Sequence, residues 1–300
     1  MKSIYPCLWF HSQAEEAANF YKTVFANAEI GSIARYGEAA SKASGQKVGS
    51  VMTVMFSLEG QQFMGLNGGP IFSITPAISF FVSCETEEEV NNLWEKLSPG
   101  GKVRIELGEY PYSKRYGWIE DKFGVSWQLI LVPKPGKQKI FPCLLFANKK
   151  FGKAAEAMDF YTSTFPNGKI LSSQKAPPGE PYNNENAVMY GEFTLHDALF
   201  AAMDGPGKHD FDFTEALSFV VNCDTQEEID ELWTALSAVK ESEQCGWLKD
   251  KYGVSWQITP AKWEDMVNDK NSAGVERMME AMMHMKKLDM AKLQAAYDGK

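Results

Sequence analysis

The sequence has few of the residues that build cross-linked or metal-bound frameworks. Its 300 residues include five cysteines and four histidines. The cysteines are scattered and form no CxxC pair, which argues against a disulfide scaffold or a zinc ribbon and favours reduced thiols. No run of about 18 apolar residues occurs, so we expect no membrane-spanning helix and no membrane partner. The N-terminus lacks a signal-peptide pattern, and the expected location is therefore cytoplasmic.

Positive charge is also scarce. Thirty Lys and Arg stand against 39 Asp and Glu, for a net charge of −9, so no basic surface is expected to hold a phosphate backbone. Nucleic acid is not predicted as a partner. Hydrophobic residues make up 44% and aromatic residues 13%, which is typical of a folded core, and the length favours two domains.

The chain repeats itself once. Three segments recur in the same order and spacing: 4–10 as 140–146, 20–25 as 160–165, and 117–129 as 246–258. A period of this size indicates duplication of a whole domain rather than a solenoid. We therefore predict domains at 1–133 and 140–262, a polar linker at 134–139 and a C-terminal tail at 263–300.

Hydrophobic periodicity predicts the same elements in each repeat. Alternation over 5–10 indicates a strand, and the apolar spacing over 13–25 indicates an amphipathic helix. Further strands complete one βαβββ module, and a second module follows in the same repeat. The spacing over Ser272 to Ala296 predicts a helix in the tail, rich in methionine, that docks on its own domain or across a homo-oligomer interface; the alternative is a partner-binding helix.

Three motifs carry a family resemblance: Pro6–Phe10, Leu66–Pro70 and Gln244–Gln257. They resemble the PhnB-like branch of the vicinal-oxygen-chelate superfamily, which contains glyoxalases, bleomycin-resistance proteins and extradiol dioxygenases. The resemblance implies an α+β fold of two tandem glyoxalase-like domains, each made of two paired βαβββ modules enclosing a cleft, followed by the C-terminal helix. That branch is often described as demethylubiquinone methyltransferase, yet the sequence has no Gly-x-Gly-x-x-Gly turn for a methyl donor.

The resemblance also implies where metal ligands would lie, on the first and last strands of the modules. These positions hold residues that do not form a typical ligand set: Pro6, Pro142, Ala77, Ala216, Gln128 and Gln257. No histidine has a partner at ligand spacing. We therefore predict no metal and no cofactor.

Strand alternation assigns the candidate cleft residues. Ser126 and Gln128 share one face of the last strand in the first repeat, as Ser255 and Gln257 do in the second. The same reasoning assigns Phe10 and Phe146 on the opening strands. The alternative for the Ser and Gln pairs is that they only satisfy each other in a half-buried sheet.

Five further residues are candidates with a structural alternative. Asn67 and Asp204 precede Gly-Pro turns and either contact a ligand or only form the turn. Trp118 and Trp247 either wall a pocket or belong to the core. Cys245 has no cysteine counterpart in the first repeat and is the one candidate for a reactive thiol.

These features predict a protein that binds a small organic molecule in a metal-free cleft, with the second repeat favoured. The alternative is an enzyme of the same superfamily, a lyase, isomerase or dioxygenase, whose catalytic groups the sequence does not reveal.

Overall fold

The computed structural model describes residues 1–177, 179 and 181–300. The strands are β1 Ser3–Phe10, β2 Ala28–Arg35, β3 Val51–Leu58, β4 Gln61–Asn67, β5 Ile78–Cys84, β6 Lys102–Tyr110, β7 Ser113–Glu120, β8 Ser126–Leu131, β9 Ile140–Ala147, β10 Lys169–Lys175, β11 Val188–Leu195, β12 Ala198–Gly205, β13 Leu217–Cys223, β14 Trp247–Lys249 and β15 Ser255–Pro260. The helices are α1 Ala14–Val24, α2 Glu38–Ser44, α3 Glu87–Leu97, α4 Ala154–Thr164, α5 Gln226–Leu236, α6 Trp263–Val267, α7 Ser272–Met283 and α8 Met290–Asp298. The α+β class is confirmed.

The strands form two sheets, and each sheet takes one module from each repeat. Sheet A has the order β14-β15-β13-β1-β4-β3-β2, and sheet B has the order β10-β11-β12-β9-β5-β8-β7-β6. The modules join through antiparallel pairs, β1 with β13 and β5 with β9. The two modules of one repeat therefore lie in different sheets, and each open sheet face is shared by both repeats.

Alternate residues of each strand face a common core. On β1 this core face carries Ile4, Leu8 and Phe10, which pack with helix residues of both repeats in one continuous cluster. Tyr5 and Cys7 point to the opposite side and belong to a separate cluster. The helices α1, α3, α4 and α5 bury their apolar sides in the common core. Each sheet thus has a core face and a second face, which we call face A for sheet A and face B for sheet B.

A buried hydrogen-bond network joins the two modules of one repeat across the core. Asp121, in the turn before β8, accepts hydrogen bonds from the Tyr21 hydroxyl at 2.8 Å and the Trp127 indole at 2.9 Å. Two backbone N–H groups of the same turn complete its coordination. In the second repeat Asp250 accepts the equivalent bonds from Tyr161 and Trp256. The repeated Phe-Tyr and Asp-x-x-Gly motifs therefore hold the fold together.

The fourth module is one strand short. Strand β6 has no counterpart after α5, where the chain forms a 3-10 turn at Lys240–Ser242 instead. The tail takes over part of the vacant edge, because the Cys245 and Gly246 N–H groups donate to the carbonyls of Met285 and Lys286, both at 2.8 Å.

The prediction of one continuous tail helix is wrong. The chain interrupts the helix between α7 and α8, where the carbonyls of Met285 and Lys286 accept hydrogen bonds from the two residues just before β14. Asp289 then accepts a hydrogen bond from the Lys292 N–H at 3.0 Å and starts a new helix. The apolar residues of the tail pack on this chain itself, in a cluster that includes Tyr36, Ala40, Met278, Met279, Met282, Leu288 and Leu293.

Among the described residues, no helix is long and apolar enough to cross a membrane.

Candidate functional site

One row of side chains crosses face A. Strand register places six residues side by side: Lys249, Ser255, Ser218, Cys7, Met64 and Met55. The Gln257 amide donates to the Ser218 hydroxyl at 3.0 Å. The row is therefore polar toward β14 and rich in sulfur toward β3, and its centre is buried.

The Ser255 hydroxyl stands out among the described residues because it has no hydrogen-bond partner there. Its side chain is 1% exposed, and its Oγ has no partner among the residues that the structure describes. In the first repeat the equivalent hydroxyl, that of Ser126, accepts the Trp118 indole N–H at 2.6 Å. A buried hydroxyl without a hydrogen bond is costly, and it is the kind of group that a ligand can satisfy.

The tryptophan that matches Trp118 has a different partner. Trp247 lies on face A beside Gln257 and makes an edge-to-face contact with Trp9, with ring centroids 6.2 Å apart. Trp9 also contacts Phe72 at 5.1 Å and donates its indole N–H to the Gly69 carbonyl at 2.8 Å. Trp9, Phe72 and Trp247 form an aromatic wall beside the polar row, and all three are half-buried.

Two pairs of ionisable side chains lie at face A. The Lys249 ammonium pairs with the Glu215 carboxylate at 2.5 Å. The Tyr5 hydroxyl donates to Glu264 of α6 at 2.5 Å, so the tail places a carboxylate against the sheet. Burial and the neighbouring Glu264 carboxylate raise the pKa of Tyr5, which keeps this hydroxyl protonated as a donor.

Face B is filled by its own side chains. Gln128 donates to Ser79 at 2.8 Å and accepts from the Tyr116 hydroxyl at 2.6 Å. Phe81 stacks on Phe141 with centroids 5.6 Å apart. Ser126 and Gln128 thus have hydrogen-bond partners within the sheet, Trp118 for the serine and Ser79 and Tyr116 for the glutamine.

Some candidate residues do not face either surface. Phe10 and Phe146 lie in the core, so the prediction that they line a cleft is wrong. The physical reason is that both sides of β1 and of β9 are largely apolar, so alternation alone does not show which side faces the core. Tyr5, Cys7 and Trp9 alternate with Leu8 and Phe10 along β1 and lie on face A, although the sequence did not mark them as candidates.

Asn67 and Asp204 hold helix N-termini. The side-chain Oδ1 of Asn67 accepts the Ala14 N–H at 2.8 Å. Asp204 accepts the N–H groups of Gly152, Lys153 and Ala154 at 2.7 to 3.3 Å, and that of Val188 at 2.8 Å. Both side chains are buried, so their contacts are structural ones at the starts of α1 and α4.

The cysteines are free thiols in different settings. Burial raises the pKa of Cys7 to about 12, which opposes a nucleophilic role. Cys245 faces the tail, with its Sγ 3.5 Å from the Met282 carbonyl oxygen, and burial raises its pKa as well. Among the described contacts of the Cys245 Sγ there is no cationic side chain that would stabilise a thiolate.

The donors on face A do not fit a hard divalent ion. Its row offers a thiol, hydroxyls, an amide and thioethers rather than converging histidines and carboxylates. Over residues 1–177, 179 and 181–300, no group of three or more His, Cys, Asp or Glu could hold a metal.

Comparison with known proteins identifies the family. The sequence profile described as 3-demethylubiquinone-9 3-methyltransferase matches residues 2–130 and again 138–259. The chain belongs to this family. No curated protein sequence matches it.

Two solved structures illustrate the relationship. A putative 3-demethylubiquinone-9 3-methyltransferase, PhnB protein, from Bacillus cereus is 44% identical over 44% of this chain and 100% of its own length, with a TM-score of 0.40. Glyoxalase I from Zea mays is 10% identical over 88% of this chain and 95% of its own, with a TM-score of 0.55. The chain thus has a glyoxalase-like fold, and each of its two repeats matches the family profile.

Proposed function

We propose that the protein binds a small organic molecule on face A, with an aromatic or other flat apolar part against Trp9 and Trp247 and a polar group on Ser255. The single observation that carries this proposal is the unpartnered Ser255 hydroxyl. Binding sites for small molecules combine an apolar lining with a few fixed polar groups, and face A has this composition.

The contrast between the two faces supports face A. On face B the Trp118 indole N–H donates to the Ser126 hydroxyl. On face A Trp247 contacts Trp9 instead, and the Ser255 hydroxyl has no partner among the described residues. Phe141 of face B and Tyr5 of face A occupy equivalent positions in the two repeats. Phe141 stacks on Phe81, whereas the Tyr5 hydroxyl donates a hydrogen bond to Glu264. Face A therefore retains polar and aromatic groups that a ligand could use.

The family description names a methyltransferase, an activity for which this chain supplies no supporting feature. A methyl donor of the nucleotide type usually needs a glycine-rich turn between a strand and a helix, and the sequence has no such motif. Binding of a small molecule requires only the groups already described on face A.

A titration with 2-naphthol tests the proposal, because this probe has a flat aromatic part and one hydroxyl. Binding is followed by saturation-transfer NMR. We expect Ser255→Ala to weaken binding about 3- to 10-fold through loss of one hydrogen bond. Trp247→Ala should weaken it further, because it removes an aromatic contact.

Ser126→Ala is the matched control and should leave the affinity for 2-naphthol unchanged. Absence of binding at millimolar probe, or equal effects of the two serine substitutions, would contradict the assignment to face A. A native mass spectrum of the purified protein provides an independent check, since a retained organic molecule should be lost in Trp247→Ala.

A further inference from the structure

Sulfur atoms collect where the tail meets the second repeat. The Sγ of Cys245 lies 4.0 Å from the thioether sulfur of Met283 at the end of α7. The Cys245 N–H donates to the Met285 carbonyl at 2.8 Å, so a second methionine of the tail lies beside the same cysteine. We call Cys245, Met283 and Met285 the tail sulfur group. It belongs to a different cluster from the sulfur-rich row of face A.

The tail sulfur group differs in exposure from the other methionines of α7. Met278, Met279 and Met282 are buried, and apolar packing accounts for them. The three residues of the tail sulfur group are half-buried instead. They therefore lie near the surface, where an ion from the solvent can reach them.

The distance between the two sulfur atoms suits a shared ion. An ion about 2.3 Å from each sulfur, a usual distance from a metal to a cysteine ligand, fits between atoms that are 4.0 Å apart. Thiolate and thioether ligands together select soft ions such as Cu(I). Harder ions need carboxylates or imidazoles, and within the described residues no group of three or more His, Cys, Asp or Glu could hold one.

The surroundings of the Cys245 sulfur do not oppose a positive ion. Its other described contact is with the Met282 carbonyl oxygen, at 3.5 Å, and no cationic side chain is among its described contacts. A carbonyl oxygen carries a partial negative charge, so the electrostatic environment favours a cation over an anion at this sulfur.

We propose that the tail sulfur group binds one Cu(I) ion, with Cys245 and Met283 as ligands and Met285 as the candidate for a third. The Cys245 thiol releases its proton to solvent as the sulfur–copper bond forms, and the copper keeps its oxidation state. Because Cys245 belongs to the second repeat and Met283 to α7, the shared ion would fasten the tail to that repeat. This proposal is independent of binding on face A.

A titration of the full-length protein with Cu(I) in the absence of oxygen, in competition with the copper chelator bicinchoninate, tests the site. We expect the protein to withhold one equivalent of Cu(I) per chain from the chelator and to show an ultraviolet sulfur-to-copper charge-transfer band. Cys245→Ser should abolish both signals. Met283→Leu, which keeps an apolar side chain of similar volume, should weaken Cu(I) binding at least about tenfold.

Two variants control for packing and for the other sulfur atoms. Met279→Leu removes a buried thioether from the same cluster and should leave the Cu(I) affinity unchanged. Cys7→Ala, on the row of face A, should still withhold one equivalent. Thermal unfolding without copper shows whether each variant is folded. One equivalent of Cu(I) should raise the melting temperature of the unaltered protein but not that of Cys245→Ser.

A measurement on the unaltered protein avoids the effect of substitution on folding. One equivalent of Ag(I), a soft ion of the same charge, should protect Cys245 from a thiol reagent, as followed by mass mapping of the modified cysteine. Unchanged reactivity of Cys245 would overturn the site.

The other outcomes are equally decisive. Cu(I) binding that survives Cys245→Ser, or equal effects of Met283→Leu and Met279→Leu, would overturn the assignment to the tail sulfur group. Loss of binding in Cys7→Ala would do the same, since it would locate the ion on face A. Complete transfer of Cu(I) from the unaltered protein to bicinchoninate would overturn the proposal as a whole.

Discussion

The Tyr21 hydroxyl donates a 2.8 Å hydrogen bond to the Asp121 carboxylate, and this bond links a helix of one sheet to a turn of the other. Tyr161 and Asp250 repeat the relationship at 2.7 Å. Because all four side chains are buried, these bonds fix how the two modules of a repeat pack against each other.

Removal of either tyrosine hydroxyl should destabilise the protein. We expect Tyr21→Phe to lower the free energy of unfolding by about 1 to 2 kcal/mol, since a charged acceptor loses one buried donor. Tyr161→Phe should cost a similar amount, and the double variant should be close to the sum because the sites are distant. Urea unfolding measures all three, and a loss near zero would argue against a stabilising role for the bond.

The matched serines should respond differently to alanine. Ser126→Ala leaves the Trp118 indole N–H without its acceptor, so we expect a loss of about 1 kcal/mol. Ser255→Ala removes a buried hydroxyl without a partner and should be neutral or slightly stabilising. The same urea titration compares them, and equal losses would show that Ser255 makes a structural hydrogen bond.

Truncation after Asn271 should both destabilise the protein and expose Cys245. It removes α7 and α8, which bury Met278, Met282 and Leu288 and cover the Cys245 thiol. Reaction with a disulfide reagent should be slower than for free cysteine in the full chain and faster after truncation. An unchanged melting temperature, molecular size and thiol reactivity would indicate a tail that does not contribute to the fold.

The free energy of unfolding should fall in acid because the Glu243 carboxylate becomes protonated. Hydrogen bonds from Lys240 and Ser237 lower the pKa of Glu243 to about 2, and Lys286 of the tail adds a third contact. A carboxyl with a lowered pKa stabilises the fold above its unfolded pKa, and this contribution disappears as the pH falls from about 4.5 to about 2. Unfolding of the protein and of Glu243→Gln should therefore differ at pH 6 and converge near pH 2. Glu241→Gln, at an exposed neighbour, is the control, and a difference independent of pH would contradict the prediction.

The sequence predicts the repeats and most of the elements, because the recurring motifs coincide with residues that the fold buries. Tyr21, Asp121 and Trp127 belong to one network, so their spacing is kept in both copies. Which module pairs with which in a sheet is not predictable from the sequence in the same way. β5 and β13 have matching sequences, and either is a chemically acceptable neighbour for β1; the choice depends on the packing of the whole chain.

The candidate site is predicted in part. Alternation correctly places Ser255 and Gln257 on the same side of β15 as Thr259, opposite Trp256 and Ile258 in the core. Alternation does not show which side of β1 lies on the same face as Ser255 and Gln257, because both sides of that strand are largely apolar. The contact of Glu264 with Tyr5 could not be predicted from the sequence. Glu264 lies on a short helix far from Tyr5 along the chain, and it has no equivalent in the first repeat.

Each sheet combines strands of both repeats, and this arrangement has a consequence for a chain that carries the repeat twice. Half of this chain alone would have unpaired edges on β1 and β5, or on β9 and β13, and exposed edges of this kind invite association with another copy. Two identical copies associating in this way would give two equivalent surfaces, whereas one continuous chain allows each surface to change independently. Here one surface has acquired tight aromatic filling, and the other a tail with an acidic side chain. Covalent fusion thus allows the two surfaces of a symmetric assembly to diverge from each other.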